Sequence, residues 1–330
     1  MKALLSKTPG GPDTLVLEEL ADPAPGAGEL AISVKACGVN YPDVLIIEDR
    51  YQFQPPRPFA PGGEIAGIVE GVGQGVEGWR EGDRVIAVTG WGGMAEMANA
   101  PARRCVKLPD SMPFEDGAAL LMTYGTAQHA LKDRAGLREG ETLLVLGAAG
   151  GVGLAAVELG RAMGARVVAA CSTEAKAALA RERGAAETVV YGAGAVDGRE
   201  LAGRIKAVCG AGGADVVFDP VGGGLSESAI RSLAPLGRHL VIGFPAGIPK
   251  LALNLLLLKE ASAIGVFWGA FTVRDPERHR ANVAELFAMY QAGKIRPFIS
   301  ARYPLERGGE AIEDLAERRA MGKVVVVTGG

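Results

Sequence analysis

Apolar and polar positions fall into two textures along this chain. Up to residue 115, short β-branched runs such as 31–35, 65–70 and Arg84–Val88 alternate with Gly and Pro punctuation, the pattern of a β-rich domain. Pro23, Pro25, Pro55, Pro56, Pro58 and Pro61 exclude long helices there. From about residue 116, short apolar runs alternate with amphipathic stretches. Strands are expected at 142–146, 166–170, 188–191, 215–218, 239–242 and 263–266. Helices are expected at 152–163, 174–183, 200–208, 225–233 and 251–258. In the first of these, Val152, Ala155, Ala156, Leu159 and Met163 share one face, and Gly164 ends it. Strict βα alternation predicts an α/β fold, a doubly wound parallel sheet of six strands. The tail returns to a helix at 278–292, a strand at 296–300, a helix at 305–318 and a strand at 323–328, expected to complete the first domain.

The junction at residue 147 carries the first chemistry. The strand 143–146 runs into Gly147-Ala148-Ala149-Gly150-Gly151-Val152-Gly153 and then into a helix. Such a loop lets backbone approach a pyrophosphate, at which the helix aims its N-terminal N–H groups. Ala148 holds the first position of the G-x-G-x-x-G pattern, which a turn accepts if the Ala φ is negative. About 20 residues on, sites for NAD place an acid that holds the ribose 2′-OH. Ala170 and Cys171 stand there instead, followed by Ser172, Thr173 and, one turn into the helix, Lys176. Hydroxyls, a helix start and a cation suit a 2′-phosphate, so NADPH is the expected cofactor. Asp219-Pro220-Val221-Gly222 and Gly243-Phe244-Pro245 each follow a strand and should lie at the carboxyl edge, where ligands bind.

Composition narrows the classes. A chain of 330 residues exceeds one ordinary core, and 48% hydrophobic with 22% charged residues argues against disorder. A net charge of −3 gives no reason to expect nucleic acid or an anionic membrane as partner. No apolar run is long enough to span a bilayer, and the first residues read as a strand, so a cytoplasmic location is expected. Cys37, Cys105, Cys171 and Cys209 are scattered and form no C-x-x-C. The three histidines, His129, His239 and His279, form no cluster, so a catalytic metal is not expected. No G-x-S-x-G elbow is present.

The combination resembles the medium-chain dehydrogenase/reductases, in particular their zinc-free quinone oxidoreductase branch. The resemblance covers the whole chain. It is carried by Lys35-Ala36-Cys37-Gly38-Val39-Asn40-Tyr41-Pro42-Asp43, Pro61-Gly62-Gly63-Glu64-Ile65-Ala66-Gly67, Gly82-Asp83-Arg84-Val85, the 148–153 loop and Gly322-Lys323-Val324-Val325. Zinc-dependent relatives place a cysteine where this chain has Asn40 and a histidine where it has Gly63. The resemblance implies a GroES-like β-rich domain, residues 1–118 completed by 270–330, and a Rossmann domain, residues 119–269, with the active site in the cleft between them. It further implies that Gly150, Gly151, Val152 and Gly153 hold the pyrophosphate and that Ser172, Lys176 and Tyr191 surround the 2′-phosphate. Asn40, Thr126, Gly243, Phe244, Phe267 and Lys323 would lie along the nicotinamide half, and Tyr41, Asp43 and Tyr51 on the substrate side.

Without a metal, hydride transfer relies on proximity to an electron-poor acceptor, such as a quinone or an α,β-unsaturated carbonyl compound. Asn40 and Tyr41 are the candidate hydrogen-bond donors to the developing oxyanion. Two alternatives stand beside this reading. One is reduction of an enoyl thioester of the crotonyl- or acrylyl-CoA type, with Arg50, Arg57 and Lys250 as candidate phosphate contacts. The other is NADPH binding with negligible turnover. The resemblance also implies a homodimer through the last strands of the parallel sheet, near 240–243 and 263–268.

Overall fold

The structure is a computed structural model that describes residues 1–192 and 197–328. It divides into two units, Met1–Met122 with the segment from Pro297 onward, and Thr123–Arg296.

The second unit holds a six-stranded, all-parallel sheet: β1 (Thr142–Leu146), β2 (Arg166–Cys171), β3 (Glu187–Val190), β4 (Ala214–Asp219), β5 (Leu233–Val241) and β6 (Ser262–Gly265). Its order is β3-β2-β1-β4-β5-β6. The order reverses between β1 and β4, the place where doubly wound sheets bind ligands. Residues 143–146 of β1 are wholly buried because helices cover both faces of a parallel sheet. Helix α1 (Gly151–Ala162) buries Leu154, Ala155, Ala156, Val157 and Leu159 and ends ahead of Gly164, whose φ is +81°. Helix α2 (Glu174–Glu182) starts at Thr173, whose hydroxyl accepts from Lys176 N–H.

The first unit is a mainly antiparallel seven-stranded sheet whose spine is Glu29–Val39 paired with Glu64–Val72. Alternate residues Leu30, Ile32 and Val34 enter its core with Ile65, Val69, Val85, Val324 and Val326. The tail strand Lys323–Val327 pairs antiparallel with residues 36–39 and so belongs to this sheet.

One expectation needs correction. Residues 270–296 pack in the second unit instead of completing the first. Helix Pro276–Gln291 is fastened there by Lys132 to Glu285 (2.6 Å) and by Asn282 to Asp133 (2.9 Å). The stretch from Phe114 to Arg134, which shows no usable periodicity, is largely helical with π-type turns. No helix of the described residues is long and apolar enough to cross a membrane.

Candidate active site

The loop between β1 and α1 is built as the glycine spacing requires. Gly147 takes the left-handed conformation (φ +56°), and its carbonyl accepts from Gly150 N–H at 3.0 Å. Ala148 is not among the residues with positive φ, which is why alanine is accepted there. A Cβ on Gly153 would lie 2.3 Å from Gly147 O and 2.9 Å from Ala148 Cα, so only glycine lets α1 pack this closely on the loop. Gly150 caps α1 without a side-chain bond, and no acid stands in the first turn. The N–H groups of Gly151, Val152 and Gly153 therefore begin the helix as donors facing no carboxylate of that turn.

Ser172 follows the end of β2, and Tyr191 follows the end of β3. These ends are neighbours, since Cys171 pairs with Val190 and Tyr191 N–H donates to Cys171 O at 2.9 Å. Lys176 lies in the first turn of α2, close enough to Cys171 to favour its thiolate, although burial dominates and pushes that thiol up to about 11. The adjacent acid, Glu174, is paired with Arg181 at 2.7 Å. The structure thus brings Ser172, Lys176 and Tyr191 to one sheet edge.

At the ends of β4 and β5 the turns are set by a residue to which the sequence alone gives no individual role. Asp219 is buried. It accepts from Val221 N–H and Gly222 N–H, both at 2.9 Å, and from Ser226 Oγ at 2.5 Å, while His239 Nε2 lies 3.2 Å away. These partners hold its carboxyl below the usual range against the opposing effect of burial. Gly243 follows that edge, Phe244 and Phe267 are exposed, and Thr126 is half-buried at the start of a helical turn.

In the first unit, Asn40, Asp43, Glu64 and Lys323 form a buried polar cluster. Lys323 Nζ donates to Asn40 Oδ1 (2.7 Å) and Val39 O (3.1 Å) and lies 3.3 Å from Glu64 Oε2. Asn40 Nδ2 donates to Gly38 O (3.1 Å) and Glu64 Oε2 (3.0 Å), and Glu64 Oε1 accepts from Met122 N–H (2.8 Å). Both Asn40 amide hydrogens are engaged, which corrects the expectation that Asn40 donates to a substrate oxyanion. Its Oδ1 faces the Lys323 ammonium and can only accept. Tyr41, at the first turn of helix Tyr41–Ile47, is half-buried against the core. Tyr51 meets Phe53 edge-to-face at 5.9 Å. Glu64 is the member that sequence reasoning missed. The Pro61-Gly62-Gly63-Glu64 stretch is the signal that points to it.

Asp43 caps its helix by accepting from Asn40 N–H (2.8 Å) and also accepts from Gly62 N–H (3.0 Å). Burial nevertheless raises its carboxyl from 3.8 to about 6. Between these values the folded chain holds a proton that the unfolded chain has released. Stability is therefore greater at about pH 4 and falls as pH rises through 6, by at most about 3 kcal/mol. Denaturant unfolding at stepped pH should show this decline, and Asp43→Asn should remove it. An unchanged slope in the variant would contradict the assignment.

Among the described residues, no group of three or more His, Cys, Asp or Glu is placed to hold a metal ion. The donor set at Asn40 does not suit zinc either, because the amide is spent and the Lys323 ammonium faces its oxygen.

Comparison with known proteins agrees with this architecture. The alcohol dehydrogenase GroES-like domain model matches residues 26–110, and the zinc-binding dehydrogenase model matches 151–288. A quinone oxidoreductase-like protein 2 homolog of Nematostella vectensis is 37% identical over 307 residues, covering 92% of this chain and 82% of the relative. A mycobacterial protein solved with NADPH superposes with a TM-score of 0.92 at 33% identity, covering 99% of both chains. Escherichia coli quinone oxidoreductase, also solved with NADPH, gives 0.89 at 28% identity, covering 99% of this chain and 100% of that one. The chain belongs to the medium-chain dehydrogenase/reductase superfamily, in its quinone oxidoreductase branch.

Proposed function

We propose that the protein is an NADPH-dependent, zinc-independent reductase of quinones or α,β-unsaturated carbonyl compounds. The observation that carries this reading is the cradle: an uncapped, acid-free helix start behind Gly153, with Ser172, Lys176 and Tyr191 where an NAD site would place a carboxylate. The NADPH-bound relatives support the cofactor. Gly150, Gly151, Val152 and Gly153 hold the pyrophosphate, and Ser172, Lys176 and Tyr191 the 2′-phosphate. Thr126, Gly243, Phe244, Phe267, Asn40 and Lys323 belong to the nicotinamide half. When bound, NADPH supplies a hydride from its nicotinamide ring.

The chain's own residues position and polarise. Lys323 and Glu64 lock the Asn40 amide, leaving Oδ1 to accept a hydrogen bond from cofactor or substrate. Tyr41 is the candidate donor to the oxyanion, and Asp43 and Tyr51 shape the substrate side. A conjugated acceptor spreads the incoming charge, so one donor suffices where an alcohol would need a Lewis acid. Arg50 and Arg57 lose their candidacy as phosphate contacts, since they face Glu48 and Asp49, each at 2.9 Å.

NADPH oxidation followed by absorbance tests this reading with benzoquinone, an enone and crotonyl-CoA, each repeated with NADH. Turnover of quinone or enone with a strong preference for NADPH is expected. Turnover of crotonyl-CoA alone would contradict the acceptor class, and NADPH binding without any turnover would contradict catalysis. A second copy of the chain is the proposed partner. Among the described residues β6 pairs on one edge only, and Leu253, Leu257 and Leu258, which precede it in the chain, are each more than 70% exposed. Light scattering should give about twice the 34.1 kDa chain mass, and a monomer would contradict this.

A further inference from the structure

Two loops at the carboxyl edge of the parallel sheet are tied to each other in the second unit. Asp219 ends β4, and the turn it opens, 219–223, is bonded along its length to the loop 242–247 that follows β5. Ile242 N–H donates to Asp219 O at 3.0 Å, Ala246 N–H to Val221 O at 2.9 Å and Gly223 N–H to Gly247 O at 2.8 Å. Inside the second loop, Gly247 N–H donates to Phe244 O at 2.8 Å, closing a turn with Pro245 at its second place. The fit leaves no slack. Gly222 and Gly223 take left-handed φ of +74° and +58°. A Cβ on Gly222 would lie 2.6 Å from Gly247 O and 3.1 Å from Phe244 Cα. On the other flank, a Cβ on Gly147 would lie 2.7 Å from Val221 Cγ2. The turn is therefore a wedge between the β1–α1 loop and the loop that carries Phe244, at the place where the strand order reverses.

One buried carboxylate sets the wedge. Asp219 Oδ1 accepts from Val221 N–H and Gly222 N–H, both at 2.9 Å. Its Oδ2 accepts from Ser226 Oγ at 2.5 Å and faces His239 Nε2 at 3.2 Å. Ser226 stands in the first turn of helix Gly223–Arg231, and His239 in β5. All three side chains are buried. An ionised carboxylate only accepts, so Nε2 carries the imidazole proton. That leaves His239 Nδ1 as a buried acceptor without a hydrogen-bond partner among the described residues. An orphaned polar atom costs stability and asks for a reason. Here the same ring supplies a donor from β5 to the carboxylate that opens the turn after β4. Four donors from three elements make that carboxylate a fixed point for both loops.

We propose that Asp219, backed by Ser226 and His239, is a positioning residue that sets where the Gly243–Phe244 loop holds the nicotinamide ring. The proposal rests on the reductase reading for NADPH as the ligand and for the place of its nicotinamide half. Asp219 itself touches no ligand. It acts through the turn 219–223, which bears on the Phe244 backbone.

The test reads the emission of NADPH per bound molecule, together with kcat for benzoquinone at saturating NADPH. The parent should enhance the emission, because the bound ring is held away from water. Asp219→Ala removes the acceptor of both turn amides. It should keep the NADPH Kd within about threefold, since the Gly150 N–H to Gly147 O bond of the β1–α1 loop is made without it. It should lose most of the emission gain per bound NADPH and lower kcat by about 100-fold, the usual cost of a displacement near 1 Å at a reacting centre. Asp219→Asn keeps an oxygen for the Val221 and Gly222 amides and should restore most of both signals. A purely structural role would lower the Tm and the amount of active protein, while leaving the emission per bound NADPH at the parent value. Parent emission and kcat in Asp219→Ala, or equal losses in the Ala and Asn variants, would overturn the proposal. If Asp219→Ala does not fold, Ser226→Ala, which removes one of the four donors, should show the same signature at about tenfold in kcat. Parent values there would overturn the proposal. A parent that binds NADPH and reduces no acceptor defeats the reductase reading alone, and the emission of the variants still decides the role of Asp219. A parent that binds no NADPH overturns both.

Discussion

Gly153→Ala is expected to lower NADPH affinity by at least about 100-fold, roughly 2.7 kcal/mol, and to lower the Tm as well. The added methyl would meet Gly147 O at 2.3 Å and Ala148 Cα at 2.9 Å, and both are backbone atoms. The only relief is to move α1 off the loop, which withdraws the amides of Gly151 and Val152 from the phosphate. Gly150→Ala separates binding from folding. A Cβ there meets only Gly147 O at an ordinary 3.5 Å, and φ is −77°, so the Tm should hold. In the proposed site the methyl would still stand at the cap residue assigned to the pyrophosphate, and a loss of about tenfold in NADPH affinity is expected. Fluorescence titration with NADPH and thermal melts of both variants check this. Parent-like binding by both would mean that the loop is a packing turn and no cradle.

The second large effect is expected at Lys323→Met. Lys323 is 3% exposed and Glu64 is fully buried, so removing the ammonium leaves a carboxylate with only the Asn40 amide and Met122 N–H as partners. Breaking a buried ion pair from one side costs roughly 3–5 kcal/mol. That corresponds to a fall of roughly 10 °C in Tm for a unit of this size. Lys323→Met combined with Glu64→Gln should regain much of the loss, because no uncompensated charge then remains. The single variant should also lose activity beyond its instability, since the Asn40 Oδ1 partner at 2.7 Å is gone and the amide is free to turn. A single variant with parent-like Tm would show that Glu64 is not held as a charged group.

Local signals made much of this legible in the sequence. The cradle, α1 and the ends of β1, β2 and β3 follow from short-range periodicity and turn chemistry, and their positions agree within a residue or two. Strand β5 begins at Leu233, six residues before the expected start, because Pro235, Leu236 in a left-handed conformation and Gly237 hide its first half. The segment around Leu120–Ala130 is buried on nearly every side, so it has no polar face to reveal a helical period. Helix Pro276–Gln291 was recognisable as a helix, but its unit depends on Asn282 and Glu285 meeting Asp133 and Lys132, some 150 residues away. Asn40 shows the same limit at the site. Its type and place were readable, whereas its hydrogen bonding is decided by Glu64 and by Lys323, 283 residues on.

The central claim is hydride transfer from NADPH without a metal. Its most direct measurement is NADPH oxidation by benzoquinone with protein stripped of metal by a chelator, assayed before and after zinc is restored. Full turnover in the stripped protein, unchanged by zinc and much slower with NADH, is the predicted result. Activity that appears only when zinc is returned would contradict the account, because it would require a metal site that Asn40, Gly63 and the Lys323 ammonium do not make.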